Sequence, residues 1–209
     1  MKQSDNQDTT RLACNRRRAF TLVELLVVIT IFAVLTALAM PSFRRIIQSN
    51  TISSSVNTFS ADLRYARSES IRRGGGVVMC RSDTPEAASP ACGSGSGPGS
   101  NGWVSGWIIF YDRDNTGNRT SASTTADHPV LRVQAALTSL DSIVESGSSS
   151  STKFIFTATG RMKTVSSATS LQFGGGSYAA DLQRMVCVSV GGRARIAGNG
   201  NASCGSGSI

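Results

Sequence analysis

From Phe20 to Met40 the chain is apolar except for Thr21, Glu24, Thr30 and Thr36, and three arginines, Arg16, Arg17 and Arg18, lead into it. As an α-helix this stretch would reach roughly 31 Å, enough to cross a ~30 Å hydrocarbon core. Glu24 does not fit a plain anchor. A carboxylate inside an apolar span costs on the order of 2.5–3.5 kcal/mol, so a partner is expected. A cut after Ala19 would supply one, because the new amine on Phe20 would lie one helical turn from Glu24. In a helical assembly that amine could belong to a neighbouring subunit, and the ion pair would set the stagger. An ordinary secretory signal has a shorter apolar run before a small-residue site such as Ala37-Leu38-Ala39. A single-pass anchor needs only the basic flank. Neither accounts for Glu24.

Beyond Pro41, which removes one intrahelical hydrogen bond and kinks the axis, the helical pattern resumes. Ile52, Val56, Phe59, Leu63 and Ala66 recur at spacings of four and three, with Asp62, Arg64, Arg67 and Glu69 between them. Gly74-Gly75-Gly76 is the expected stop. The spacing predicts one helix over 20–73, roughly 80 Å if straight, with an apolar transmembrane half at 20–40 and an amphipathic half at 42–73 that buries one face under a following domain. From residue 76 the period becomes two. Strands are expected at 76–81, 103–112, 130–134, 142–145, 153–157, 170–173, 184–190 and 193–196, separated by turn chemistry and by a Ser/Gly/Pro-rich loop at 82–102. The expected fold is therefore α+β: a long N-terminal hydrophobic helix packed on an antiparallel β-sheet or small β-sandwich that occupies 74–209.

The formal charge is +8, of which residues 1–19 hold +3, leaving +5 on the remainder. Cys14 falls in that segment, and with it set aside Cys80, Cys92, Cys187 and Cys204 remain as an even set. Past a membrane anchor they would face an oxidising compartment, which favours disulfides over a four-thiolate zinc site. The spacings suggest local loops, Cys80–Cys92 and Cys187–Cys204, but three connectivities are open. The tail from Gly198 would be held by Cys204.

Catalysis finds little support. The one histidine, His128, precedes a proline and reads as an inert surface residue, and no nucleophile, metalloprotease, phosphate-loop or dinucleotide motif occurs. Asp112-x-Asp114-x-Thr116-Gly117 hints at a calcium loop. It fails at Thr116 and again at Ser123, where a bidentate glutamate belongs, so a polar turn with a salt bridge is expected. No enzyme activity, cofactor or metal is expected. Gly192-Arg193-Ala194-Arg195 is the motif with most chemistry. In a strand Arg193 and Arg195 share a face, and Arg161, Lys163 and Arg184 would extend the stripe if neighbouring strands align. Guanidinium groups bind phosphate bidentately, so such a stripe would hold nucleic acid without reading its sequence. The plainer alternative is two arginines that solvate an edge strand.

The run Arg16-Arg17-Arg18-Ala19-Phe20-Thr21-Leu22-Val23-Glu24-Leu25-Leu26-Val27-Val28 resembles the processing motif of type IV prepilins and type II secretion pseudopilins, with Ala19 where the family usually has glycine and a longer leader than is common. Gly106-Trp107-Ile108-Ile109-Phe110-Tyr111-Asp112 is similar to a stretch of the GspH/FimT branch, as are the segments from Phe156 to Arg161 and from Val186 to Arg193. The resemblance implies a leader at 1–19, cleavage between Ala19 and Phe20 by a prepilin peptidase, and N-methylation of Phe20. It implies Glu24 as the acidic assembly residue and Pro41 as the helix kink. It further implies an inner-membrane subunit with a cytoplasmic N-terminus and a periplasmic domain, which enters or primes a pilus by packing against other pilins. Gly192-Arg193-Ala194-Arg195 matches the GRxR signature of FimT-type pilins, whose implied role is capture of double-stranded DNA for natural transformation. A type II secretion pseudopilin is the alternative, and a solitary anchored or secreted binding domain is the alternative of another class.

Overall fold

A computed structural model describes residues 20–94, 96–124, 126–146, 152–163 and 169–204. Residues 1–19, the expected leader with Ala19 and Cys14, lie outside the described residues. Two compact units divide between Phe43 and Arg44.

A single helix, α1 (Leu22–Arg73), runs through the division. Its backbone stays helical at Pro41, and it ends where Gly74 takes φ 79, a left-handed conformation that glycine adopts without a Cβ clash. In the first unit Thr21 Oγ1 accepts a hydrogen bond from the Glu24 amide at 3.2 Å and caps the helix start. The Thr30 hydroxyl donates to Val27 O, and that of Thr36 to Phe32 O and Ala33 O, so both hydroxyls are satisfied within the helix. The large apolar side chains from Phe20 to Met40 are exposed. The helix is long and apolar enough to span a bilayer, and so much unburied apolar surface requires lipid or other helices around it.

In the second unit, Ile52, Val56, Phe59, Leu63 and Ala66 are all 0–1 % exposed, so the spacing-four-and-three stripe is the buried face of α1. It packs on two antiparallel four-stranded sheets. The first has the order β3 (Val130–Gln134), β2 (Trp107–Tyr111), β1 (Gly75–Arg81), β5 (Lys153–Thr157). The second has β4 (Ser142–Ser146), β6 (Thr169–Gly174), β7 (Arg184–Val188), β8 (Ala194–Asn199). Phe59 sits at the junction. Its ring is edge-on to Trp103, Trp107, Phe154 and Phe173 at 5.2–6.2 Å between centroids, so one helical side chain touches both sheets.

Alternation on β2 explains the layering. Trp107 and Ile109 point into this core, whereas Ile108 and Phe110 face a second cluster with Val78 and Cys80. That outer cluster lies beneath Cys92, to which Cys80 is disulfide-bonded; Cys187 is bonded to Cys204.

Two expectations are corrected. Residues 103–105 form a 3-10 turn, not the start of β2. Gly102 and Gly106 on either side take φ 68 and 103, and the turn folds Trp103 back into the core. A Cβ on Gly102 would lie 2.0 Å from Ile143 O, so that position holds the turn against β4. Asp62, placed by pattern among the polar residues, is 0 % exposed. It accepts the Trp107 Nε1–H bond at 2.8 Å, and its other oxygen lies 3.0 Å from Arg132 Nε. Burial raises its pKa, while the Trp107 bond and the Arg132 charge oppose that rise.

Phe59→Ala should cost about 3–5 kcal/mol, as a large buried aromatic replaced by a cavity. Asp62→Ala should cost about 1–3 kcal/mol by leaving the Trp107 indole N–H buried without an acceptor. Asp62→Asn, which keeps an acceptor, should lose less. Urea unfolding of the three variants checks this order.

Candidate nucleic-acid interface

The β7–β8 connection is a five-residue turn. Ser189 N donates to Arg193 O at 2.9 Å and Gly192 N to Ser189 O at 2.8 Å. β5 ends in a similar reversal: Gly160 N donates to Thr157 O, Thr157 N to Arg161 O and Lys163 N to Ile155 O, each at 2.8 Å. The two turns belong to different sheets yet are joined, because Met162 N donates to Val190 O at 2.9 Å. The join depends on two glycines. A Cβ on Gly192 (φ 73) would stand 2.5 Å from Gly160 O, and one on Gly160 (φ 72) would stand 2.9 Å from Arg67 Nε.

This contact brings together residues that are far apart in sequence. Met162 is buried, and Arg161 and Lys163, on either side of it, are exposed, as period two requires. Arg193 and Arg195 are exposed on the facing hairpin. Among the described residues, none of the four forms an ion pair. Arg195 is the cross-strand partner of Cys187. Directly paired side chains share a sheet face, so the Cys187–Cys204 bridge returns the tail to the face that carries Arg195.

Arg184 stands apart. It pairs with Asn199, three residues along β7 from the Cys187–Arg195 pair, or roughly 10 Å at strand rise. Its Nη1 donates to the carbonyls of Asp181, Leu182 and Gln183 at 2.9–3.0 Å. Conversely, the sequence pattern leaves out Arg67, a half-buried helical residue packed against Gly160. Its position next to Ala66 on the edge of the apolar stripe was the available signal.

A second polar cluster lies at the end of β2. Contrary to the expected surface histidine, His128 is 6 % exposed. The chain carries it inward because buried Arg119 donates through Nε to His128 O at 3.1 Å and through Nη1 to Pro90 O. His128 Nε2 lies 2.9 Å from Asp114 Oδ1 and 3.2 Å from Asp112 Oδ1. Asp112 also accepts the Gly117 amide at 2.7 Å. Burial raises the Asp112 pKa, with the Asp114 carboxyl adding to the rise. Asp114 is held below the usual carboxylate range by its hydrogen bonds with Asp112 and His128 and by the Thr116 amide.

One oxygen or nitrogen from each of Asp112, Asp114 and His128 falls within 4.8 Å of the others, close enough to hold a cation. The far side of the ring argues otherwise. His128 Nδ1 is buried without a hydrogen-bond partner. A metal on Nε2 would force the proton onto Nδ1 and strand a buried donor, at about 1–3 kcal/mol. A neutral imidazole donating from Nε2 to the carboxylates strands only a lone pair. The cluster is a clasp that closes the 112–117 turn on His128. A cleft of ≈ 470 Å³ lined by Arg81, Ser100, Trp103 and Glu145 is equally self-engaged. Arg81 pairs with Asp83 and the Ser94 carbonyl, and Trp103 Nε1 donates to Glu145 at 2.8 Å.

Comparison with known proteins gives two family matches. The family described as Type II transport protein GspH matches residues 55–192, and the Prokaryotic N-terminal methylation motif matches residues 14–40. Among solved structures, the type IV minor pilin FimU of Pseudomonas aeruginosa (strain PAO1), in space group P21, superposes with a TM-score of 0.50 at 18 % identity, covering 73 % of this chain and 95 % of that one. Its P65 crystal form gives 0.46 at 16 % identity, over 72 % and 98 %. At 18 % identity the P21 likeness is one of fold. No curated protein sequence matches the chain.

If the clasp reading holds, adding zinc or calcium leaves the melting temperature unchanged, while His128→Ala lowers it by several degrees. A melt that rises with either ion would instead mark the cluster as a metal site.

Proposed function

The chain belongs to the GspH family of minor type IV pilins and type II pseudopilins, and from that premise we propose that it is a minor pilin that enters or primes an envelope pilus and captures double-stranded DNA. The observation that carries the DNA reading is the joined pair of turns, which gathers Arg161, Lys163, Arg193 and Arg195 with no carboxylate paired to them among the described residues. Like charges held close cost energy unless an anion meets them. The backbone phosphates of a duplex are a repeating anion, and contacts to them release counterions whatever the sequence.

Assembly would proceed through the helix. The apolar half enters the inner membrane with the arginine-rich leader on the cytoplasmic side. A prepilin peptidase cuts after Ala19, and Phe20 is methylated. Glu24 then meets the positive amine of a neighbouring pilin as apolar faces bury against one another, and the Pro41 kink bends the packed helix. The domain is carried into the periplasm and then into the filament. The pseudopilin reading has one observation in its favour, the family's description as a type II transport protein. It needs protein contacts and no nucleic acid.

Binding of a labelled duplex by the detergent-solubilised chain, titrated against salt, separates the two. Arg193→Gln/Arg195→Gln should weaken binding to unrelated duplexes alike and reduce the salt slope by about two. An unaltered slope assigns the arginines to the surface alone. For assembly, Glu24→Gln should leave cleavage after Ala19 intact yet remove the subunit from sheared filaments. Recovery of this variant at wild-type levels would discard the ion-pair role.

A further inference from the structure

Arg67 is a cation that α1 places against the joined turns. Its stem and Nε lie against Gly160, the residue on which Gly192 also rests. Nε is buried with no hydrogen-bond partner, whereas Nη1 and Nη2, which are not buried in this way, form no hydrogen bond or ion pair among the described residues. The nearest acid on the helix is already engaged: Glu69 accepts from Arg72 at 2.6 Å and from Arg73 at 2.7 Å, and the two guanidinium groups lower its pKa to about 2. Arg67 is therefore a guanidinium fixed by packing, left uncompensated, and set beside the turn that carries Arg161.

We infer that Arg67 is a phosphate-binding residue of the same surface, so that the DNA backbone is held by three elements at once: α1, the β5 turn and the β7–β8 hairpin. This rests on the DNA-capture reading above and extends it. An arginine held by its stem loses little side-chain freedom on meeting a ligand, unlike the exposed Arg193 and Arg195. The two glycines have a function in this arrangement. With side chains at either position the turns would separate from each other or from α1, and the charges would no longer lie on one surface. The ligand we assign is a duplex backbone, a repeating anion that can meet cations carried by separate elements at once.

The test uses the detergent-solubilised full chain with a labelled duplex. Arg67→Met keeps the packed stem and removes the charge. It should weaken binding on the order of tenfold and lower the salt slope by about one, equally for unrelated sequences. Arg67→Lys should restore most of the slope. Arg184→Gln, the same charge change at the far end of β7, should leave it unaltered. Thermal melting of each variant identifies any that lost binding by unfolding, and the Lys variant then decides. If Arg67→Met leaves the slope unchanged while Arg193→Gln/Arg195→Gln lowers it, the assignment of Arg67 is overturned and the DNA reading stands. If Arg184→Gln lowers the slope as much as Arg67→Met, the effect is one of net charge and the assignment again fails. If the unaltered chain shows no salt-dependent binding, both fall.

Discussion

The contact of Phe59 with Trp103, Trp107, Phe154 and Phe173 is the interaction on which the domain depends. The two sheets do not share a strand. They are one domain because a single helical face fills the space between them, and Phe59 is where that face meets aromatic rings from β2, β5 and β6 together. Each edge-to-face pair contributes about 0.5–1.5 kcal/mol beyond area burial. Three residues along, Asp62 fixes the rotation of the helix that Phe59 alone would leave loose, since a hydrogen bond to the Trp107 indole is directional where ring packing is not. The ion contact with Arg132 compensates the buried charge, and Arg132 in turn lies 5.6 Å over the Tyr65 ring.

The candidate DNA surface inherits that arrangement. Arg67 belongs to the helix, Arg161 and Lys163 to the reversal after β5, and Arg193 and Arg195 to the hairpin of the second sheet. These three elements share a surface only because Phe59 and its neighbours set the spacing of helix and sheets. The Met162–Val190 hydrogen bond and the Gly160–Gly192 contact then close the remaining gap. Stability and charge placement are thus coupled. Loosening the core should spread the cations apart before it unfolds the chain.

Much of the fold was legible in the sequence because it rests on local periodicity. The stripe from Ile52 to Ala66 is buried as its spacing requires, and strands 130–134 and 153–157 fall where alternation put them. Legibility ended where a long-range partner decided the outcome. Asp62 lies on the buried face because Trp107, 45 residues away, needs an acceptor. His128 lies inside because Arg119 ties its carbonyl to the Pro90 loop. Residues 103–105 look like strand, but two positive-φ glycines turn them. At the site, period two predicts Arg193 and Arg195 on one strand face; both are exposed, but β8 begins at Ala194 and Arg193 lies in the turn before it. No local rule could tell that Arg161 would come beside them while Arg184 turned to cap carbonyls at the opposite end of β7.

Edge protection is the plainest use for arginines on β8, and it accounts for part of what is seen. β8 is an edge strand with Ile196 54 % exposed, and a neighbouring cation guards such an edge against pairing with another chain. That role needs charge on the strand itself. It explains Arg195. It does not explain Arg193, which lies in the turn before β8, or Arg161, on a reversal belonging to the other sheet. It explains Arg67 least, because a half-buried helical side chain blunts no edge. Four guanidinium groups drawn from three elements, with no carboxylate paired to them among the described residues, are what the proposed phosphate contacts require and what edge protection does not.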